Sequence, residues 1–150
     1  MVKKTADIKY YEAIGKRKSA VALVRLYVAD KNKEVVIKDV KIKKGEIFVN
    51  KKPIQDYFPG EVSKNRYMLP LSLTENLDRF AISISVKGGG LEGQIEATMH
   101  GLSRAIEVSD KEKRIVLKKN GLLTRDARVK ERRKVGTGGK ARRQKQSPKR

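Results

Sequence analysis

Residues 80–106 read FAISISVKGGGLEGQIEATMHGLSRAI, and the hydrophobic period changes partway through. Phe80, Ile82, Ile84 and Val86 alternate with the small residues Ala81, Ser83 and Ser85. That two-residue repeat marks a strand with one face in a core and the other closely approached by something. Beyond Gly88, Gly89 and Gly90, the residues Ile95, Met99, Leu102 and Ile106 recur at intervals of four, three and four. This is the 3.6-residue period of a helix with one apolar stripe.

Upstream, the run from Tyr10 reads YYEAIGKRKSAVALVRLYV. It predicts a strand on either side of Gly15-Lys16-Arg17-Lys18, or one strand bent there, with Ala20, Ala22, Val24 and Leu26 on one face and Val21, Leu23, Arg25 and Tyr27 on the other. Residues 31–44 alternate apolar and charged positions, which predicts an exposed hairpin turning at Lys44 and Gly45, its lysines protecting an edge. Pro53 is placed to open a short helix carrying Ile54, Tyr57 and Phe58, closed by Pro59-Gly60. Over 61–79 the pattern is weak; Leu73 and Leu77 suggest a helical turn or two after Pro70 that feed the core. Ser109 with Glu112 three residues on reads as a capping box for a further helix, and Asn120-Gly121 as its stop.

The C-terminal residues 118–150 carry fourteen Lys or Arg against Asp126 and Glu131, which is +12 of the chain's formal +20. With no aromatic residue and four glycines, this segment has too little apolar surface to offset the entropy of its own ordering. It needs a partner, and its charge selects a polyanion, because each cation that neutralises a phosphate releases condensed counterions. The organisation expected is a loose lead-in over 1–9, a globular domain over 10–117 and a basic tail over 118–150 that starts in the last helical turn. The absence of cysteine removes disulfides and thiolate metal sites and fits a reducing cytosol. No run of eighteen apolar residues is present, and MVKKTADIKYY lacks the apolar core of a secretory signal.

Three features carry possible chemistry. The knot Lys16-Arg17-Lys18 is either a solvated turn or a phosphate-contacting loop at the sheet's rim, three adjacent cations repelling one another unless counter-charge is near. The triplet Gly88-Gly89-Gly90, between a strand and a helix N-terminus, is either a structural turn or one whose amides meet RNA phosphates. With Leu91, Glu92 and Gly93 it satisfies GxGxxG, but the second strand ending in an acid, needed about twenty residues later for a dinucleotide fold, is replaced by a charged, capped segment. His100 has no companion for a metal site, so packing or one hydrogen bond is its expected role, with Arg104 on the same helix face. Asp126 and Glu131 are expected to pair locally with Arg125, Arg128 or Arg132. Neither a cofactor nor a metal is expected.

The segments GKRKSAVALVRLY (15–27), VKGGGLEGQIEATMHGLSRAI (86–106) and GLLTRDARVKERRKVGTGGKARRQKQSPKR (121–150) resemble, in the same order, the signature segments of the bacterial-type small-subunit ribosomal protein S-nine family. The block from Leu123 to Lys134 is the most specific of them. Two places depart from the family pattern: a longer hairpin near 31–43, and a terminus reading Gln146-Ser147-Pro148-Lys149-Arg150 after Gly138 and Gly139. The resemblance implies an α+β fold in two layers, a mostly antiparallel sheet with helices on one face and a left-handed βαβ crossover, plus a long extended basic C-terminal tail. It implies a non-enzymatic structural constituent of the small ribosomal subunit, bound to ribosomal RNA of the head (the 3′ major domain) beside neighbouring head proteins, with no membrane and no homo-oligomer. The residues expected to bind RNA are Lys16, Arg17, Lys18, Gly88, Gly89, Gly90, Arg104, Arg125, Arg128, Lys130, Arg132, Arg133, Lys134, Lys140, Arg142, Arg143 and Lys145. Lys149 and Arg150 are expected to approach the anticodon stem-loop of transfer RNA in the peptidyl site. The rival readings are a free nucleic-acid-binding protein, which would also bind duplex DNA, a nucleotide-binding enzyme, and a polybasic membrane-surface protein, which lacks an apolar anchor.

Overall fold

The computed structural model describes residues 9–28, 35–37, 40–133 and 135. Strands β1 (Tyr10–Arg17) and β2 (Ala20–Val28) form an antiparallel hairpin whose turn is Lys18-Ser19. The small pair β3 (Val35–Ile37) and β4 (Val40–Ile42) follows, then β5 (Ile47–Val49), β6 (Lys52–Pro53), α1 (Ile54–Tyr57), α2 (Glu61–Leu73), β7 (Phe80–Lys87) and α3 (Leu91–Ser109). A 3-10 turn (Lys111–Lys113) and α4 (Arg114–Lys119) complete the regular structure of the described residues. The main sheet has five strands in the order β1-β2-β7-β5-β6. Among the described residues only the β5–β7 pair is parallel, and the connection between them carries α1 and α2. The observed class is therefore the expected α+β, mostly antiparallel with helices on one face.

The sheet assembles around β7 because its alternation supplies two usable faces. Phe80, Ile82, Ile84 and Val86 are all buried, as are Ala20, Ala22, Val24 and Leu26 from β2, and they meet Ile95, Leu102 and Ile106 of the α3 stripe. Met99, the fourth member of that stripe, is only partly buried against the same core. The approach expected at the other face is real at one end: Ala81 and Tyr27 pack with Val35 and Ile42 of the β3–β4 pair in a second, smaller cluster. Beside it lies an open cleft of about 320 Å³ bordered by Arg25, Phe48, Asn50 and Ser85.

Helix α3 lies unusually close to β1. A Cβ placed on Gly15 would run into the Ala97 carbonyl and the Gly101 backbone, and one on Gly101 would lie 2.7 Å from a Val24 methyl. Two glycines, one on each element, let the backbones touch, and any larger side chain would force them apart. Gly101 carries no apolar side chain, so the hydrophobic stripe gave no notice of it.

Three sequence expectations fail, each for a local reason. The reversal in the 31–44 region falls between Ile37 and Val40, because β3 pairs Val35 with Ile42. Lys44-Gly45 instead turns the chain so that β5 leaves that ladder for β7: the Gly45 N–H donates to the Phe80 carbonyl at 3.0 Å, and the Ile82 N–H to the Glu46 carbonyl at 3.0 Å. Alternation is the same for both pairings; the buried places for Ile47 and Val49 exist only beside β7. The weak 61–79 stretch is a full thirteen-residue helix with Pro70 inside it. Pro70 removes one backbone donor near the C-terminal end. Burial of Tyr67 and Leu71 holds the helix, while Leu73 is half-buried and Leu77 exposed.

The Ser109 capping box is absent. Ser109 closes α3 with its hydroxyl donating to the Ile106 carbonyl, and Asp110 is the cap, accepting the Glu112 N–H at 3.0 Å. Ser109 and Asp110 are adjacent cap formers, and the tertiary course of α3 decides between them. Gly121, at φ +71, ends α4 as expected.

Candidate nucleic-acid interface

One end of the sheet gathers the knot, the glycine turn and the first residues after α4. Lys16 and Lys18 are exposed there, and Lys18 sits at φ +50 in the β1–β2 turn. The glycines meet this turn directly. Gly88 and Gly89 have φ values of +73 and +67, and added Cβ atoms would lie 2.6 Å from the Ser19 carbonyl oxygen and 2.9 Å from the Ala20 Cβ. Close approach of β2 and positive φ thus require glycine at both positions without reference to any ligand. Gly90 differs, since a Cβ there would meet nothing within 4 Å. It caps α3 through its carbonyl, which accepts the Gln94 N–H at 3.0 Å, while the Gln94 amide donates to the Gly88 carbonyl at 3.1 Å.

Arg17 is unlike its neighbours in the knot. Its side chain is only 12% exposed, and three protein partners occupy the guanidinium. Nε pairs with Glu96 of α3, one terminal nitrogen donates to the Arg128 carbonyl at 2.7 Å, and the other lies 3.1 Å from Asp126. Glu96 is held in turn by Arg66 of α2 at 3.0 Å. Of the two acids expected to pair locally, Asp126 does so, accepting the Arg128 N–H at 2.9 Å and its guanidinium at 2.7 Å, which holds the carboxyl far below the usual carboxylate range, whereas Glu131 makes no such pair among the described residues. The link to Arg17, 109 positions earlier in the chain, was not foreseen; the one available signal was an acid standing alone in a cationic stretch.

His100 and Arg104, one turn apart on α3, close the free edge of β1. His100 Nδ1 accepts the Lys16 N–H at 3.4 Å, and Arg104 donates to the Ile14 carbonyl. An edge strand leaves such groups unpaired, so these side chains supply what a sixth strand would. The ring is also hydrogen-bonded to the backbone of Leu123. Burial lowers the His100 pKa below 6.5, with Arg104 and Arg125 adding to the shift and the Leu123 bond opposing it. Neutral imidazole, able to accept at Nδ1, is therefore the form this site stabilises.

Beyond α4, Leu122 is buried in the main core and its N–H donates to the Leu117 carbonyl at 3.1 Å. The start of the basic segment is thus attached to the domain, although composition alone predicted no such attachment. Arg125, Arg128, Lys130, Arg132 and Arg133 are exposed, in backbone that is neither helix nor strand. Lys134, Lys140, Arg142, Arg143, Lys145, Lys149 and Arg150 lie outside the described residues. Among the described residues, no cluster of three or more His, Cys, Asp or Glu side chains could hold a metal ion, and no helix is long and apolar enough to cross a membrane.

Residues 15–150 match the family described as ribosomal protein S9/S16. The chain is similar to the small ribosomal subunit protein uS9 of Maridesulfovibrio salexigens, with 45% identity over 133 residues that cover 89% of this chain and 90% of that protein. The protein of the same name from Rickettsia rickettsii (strain Sheila Smith) is 44% identical over 128 residues, covering 85% of this chain and 71% of the relative. That from Solidesulfovibrio magneticus is 43% identical over 131 residues, with coverage of 87% and 90%.

Proposed function

Because this chain belongs to the ribosomal protein S9/S16 family, and so is a non-enzymatic structural constituent of the small ribosomal subunit that binds ribosomal RNA, we propose that it grips that RNA at two linked places. The first is the rim, where Lys16, Lys18 and Gly90 are exposed. The second is the extended cationic segment that begins with Arg125 and continues through Lys130, Arg132 and Arg133 toward the C-terminus. The supporting observation is that both surfaces emerge from the same end of the sheet, joined through Arg17 and Asp126. One continuous phosphate-lined groove is able to engage them both. Ribosomal and cytoplasmic placement follows from the family.

The finer reading places the domain on RNA of the subunit head, the 3′ major domain, beside neighbouring head proteins. The segment's arginines fork onto phosphates or stack on unpaired bases, and selectivity comes from the shape of pre-folded RNA. Lys149 and Arg150 then reach the anticodon stem-loop of peptidyl-site transfer RNA. Sedimentation of a lysate at moderate salt tests the main assignment. Co-migration with the small subunit is expected, and a purely free or DNA-associated protein overturns it. If roughly ten phosphates are neutralised, affinity falls with salt at a log-log slope of about −7 to −9. For the terminus, deletion of residues 148–150 is expected to spare subunit assembly and weaken peptidyl-site transfer RNA binding. Equal transfer RNA affinity of intact and truncated subunits refutes that contact.

A further inference from the structure

We propose that Arg17 is a positioning residue, not an RNA ligand: with Asp126 it forms a clasp that fixes where and in which direction the cationic segment leaves the domain. The inference rests on the reading that this segment binds RNA. Arg17 lies between two exposed lysines in sequence, yet carboxylates on either side and the Arg128 carbonyl occupy its nitrogens. Its partners form an alternating series across four parts of the fold. Glu92 and Glu96 of α3 hold Arg66 of α2, Glu96 also holds Arg17 of β1, and Arg17 holds Asp126, which holds Arg128. A phosphate would have to displace a carboxylate from Arg17 and leave it facing the RNA, an unfavourable exchange.

Two further attachments flank the clasp. Leu122 is sunk in the core, and His100 joins the Leu123 backbone to the Lys16 N–H. The chain is therefore held repeatedly from 122 to 128. Among the described residues, no hydrogen bond or ion pair reaches the side chains of 129–133. The part of the segment without such attachment among the described residues accordingly begins at Val129, eleven positions after Lys118. A thread whose first segment is fixed loses less conformational entropy when it enters a groove, so the clasp raises affinity without adding a phosphate contact. This also accounts for an acid where charge alone would exclude one.

The test measures binding of the full-length protein to ribosomal RNA of the small subunit as a function of salt. Arg17→Ala and Asp126→Asn are each expected to weaken binding about 10-fold with the log-log slope unchanged, and the double variant to be no worse than either single one. Arg132→Ala, as a ligand control, should lower the slope by about 0.7 to 0.9. Asp126→Asn is the more decisive variant, because loss of a negative charge by itself favours RNA. Tighter binding by Asp126→Asn, or a slope loss for Arg17→Ala equal to that of Arg132→Ala, overturns the clasp. Amide exchange in the free protein provides an RNA-independent reading: Arg17→Ala should speed exchange at the Leu122 and Arg128 amides, the two of 122–128 that donate hydrogen bonds, and leave Ile82 and Ile84 protected. Unchanged exchange at those two amides refutes the clasp even if binding falls. If Arg132→Ala changes neither affinity nor slope while exchange responds to Arg17→Ala, the clasp stands and the RNA role of the segment is what fails.

Discussion

The knot at Gly15–Lys18 and the segment at Arg125–Arg133 are both short and cationic, yet the central cation of the knot faces protein while those of the segment face solvent. In the knot, Gly15 is buried against α3, the Lys16 N–H is bonded to His100 and Arg17 is enclosed by protein partners. In the segment, Arg125, Arg128, Lys130, Arg132 and Arg133 are all exposed. A cluster of positive charge therefore says little about what each cation touches. A facing acid on either side turns Arg17 inward while Lys16 and Lys18 stay exposed, whereas beyond Arg128 the segment's cations have no protein partner among the described residues.

The contrast can be broken most severely at Gly15. Gly15→Ala places a methyl group against helix backbone and is expected to cost about 3 kcal/mol or more, lowering the melting temperature by roughly 10 °C. A melting temperature unchanged by the added methyl would mean that the two backbones are not in contact. Replacing Lys130, Arg132 and Arg133 together by Ala should do the reverse. Thermal stability stays within about 1 °C, while affinity for ribosomal RNA falls on the order of 100-fold near physiological salt and the slope drops by about 2 to 3. A large loss of stability would show that the segment is part of the folded domain.

A smaller effect is expected at Thr98. Its Oγ1 is buried with no partner for its hydroxyl, so Thr98→Val should stabilise the fold by about 1 kcal/mol, read from denaturant midpoints at constant m. Destabilisation would reveal a hydrogen bond there. The smallest effect concerns pH. The folded state depresses the His100 pKa below 6.5, so the unfolded chain binds the proton first as pH falls. This contribution is full above about 6.5 and fades as pH falls through the folded value. A variant with His100→Ala should lose that part of the pH dependence, and protection of the Lys16 amide, relative to its intrinsic exchange rate, should fall on acidification only in the parent protein. A parent stability that is flat across this range would disprove the stabilised neutral ring.

Much of the fold was legible because its elements obey simple periods. Phe80–Val86 and the stripe Ile95 to Ile106 each present one apolar face, and such faces lead to similar structure in almost any partner arrangement. The β3–β4 reversal and the Pro70 helix were not legible, because each depends on where a distant strand or helix offers burial. The site divides in the same way. Exposed cations after Arg125 follow from composition, but the Arg17–Asp126 link joins positions 109 residues apart, and nothing local in either segment announces the other.

By itself the sequence determined the chain's charge, the periods of its principal strand and helix, and the signature segments that mark its family. Those properties depend on residue identity and on neighbours a few positions away. Only the tertiary structure decided that Gly15 and Gly101 bring strand to helix, that β5 joins β7, and that one arginine of a basic knot is spent on holding the tail. Each of these depends on distance in space, which a linear chain encodes only through the packing of all its parts.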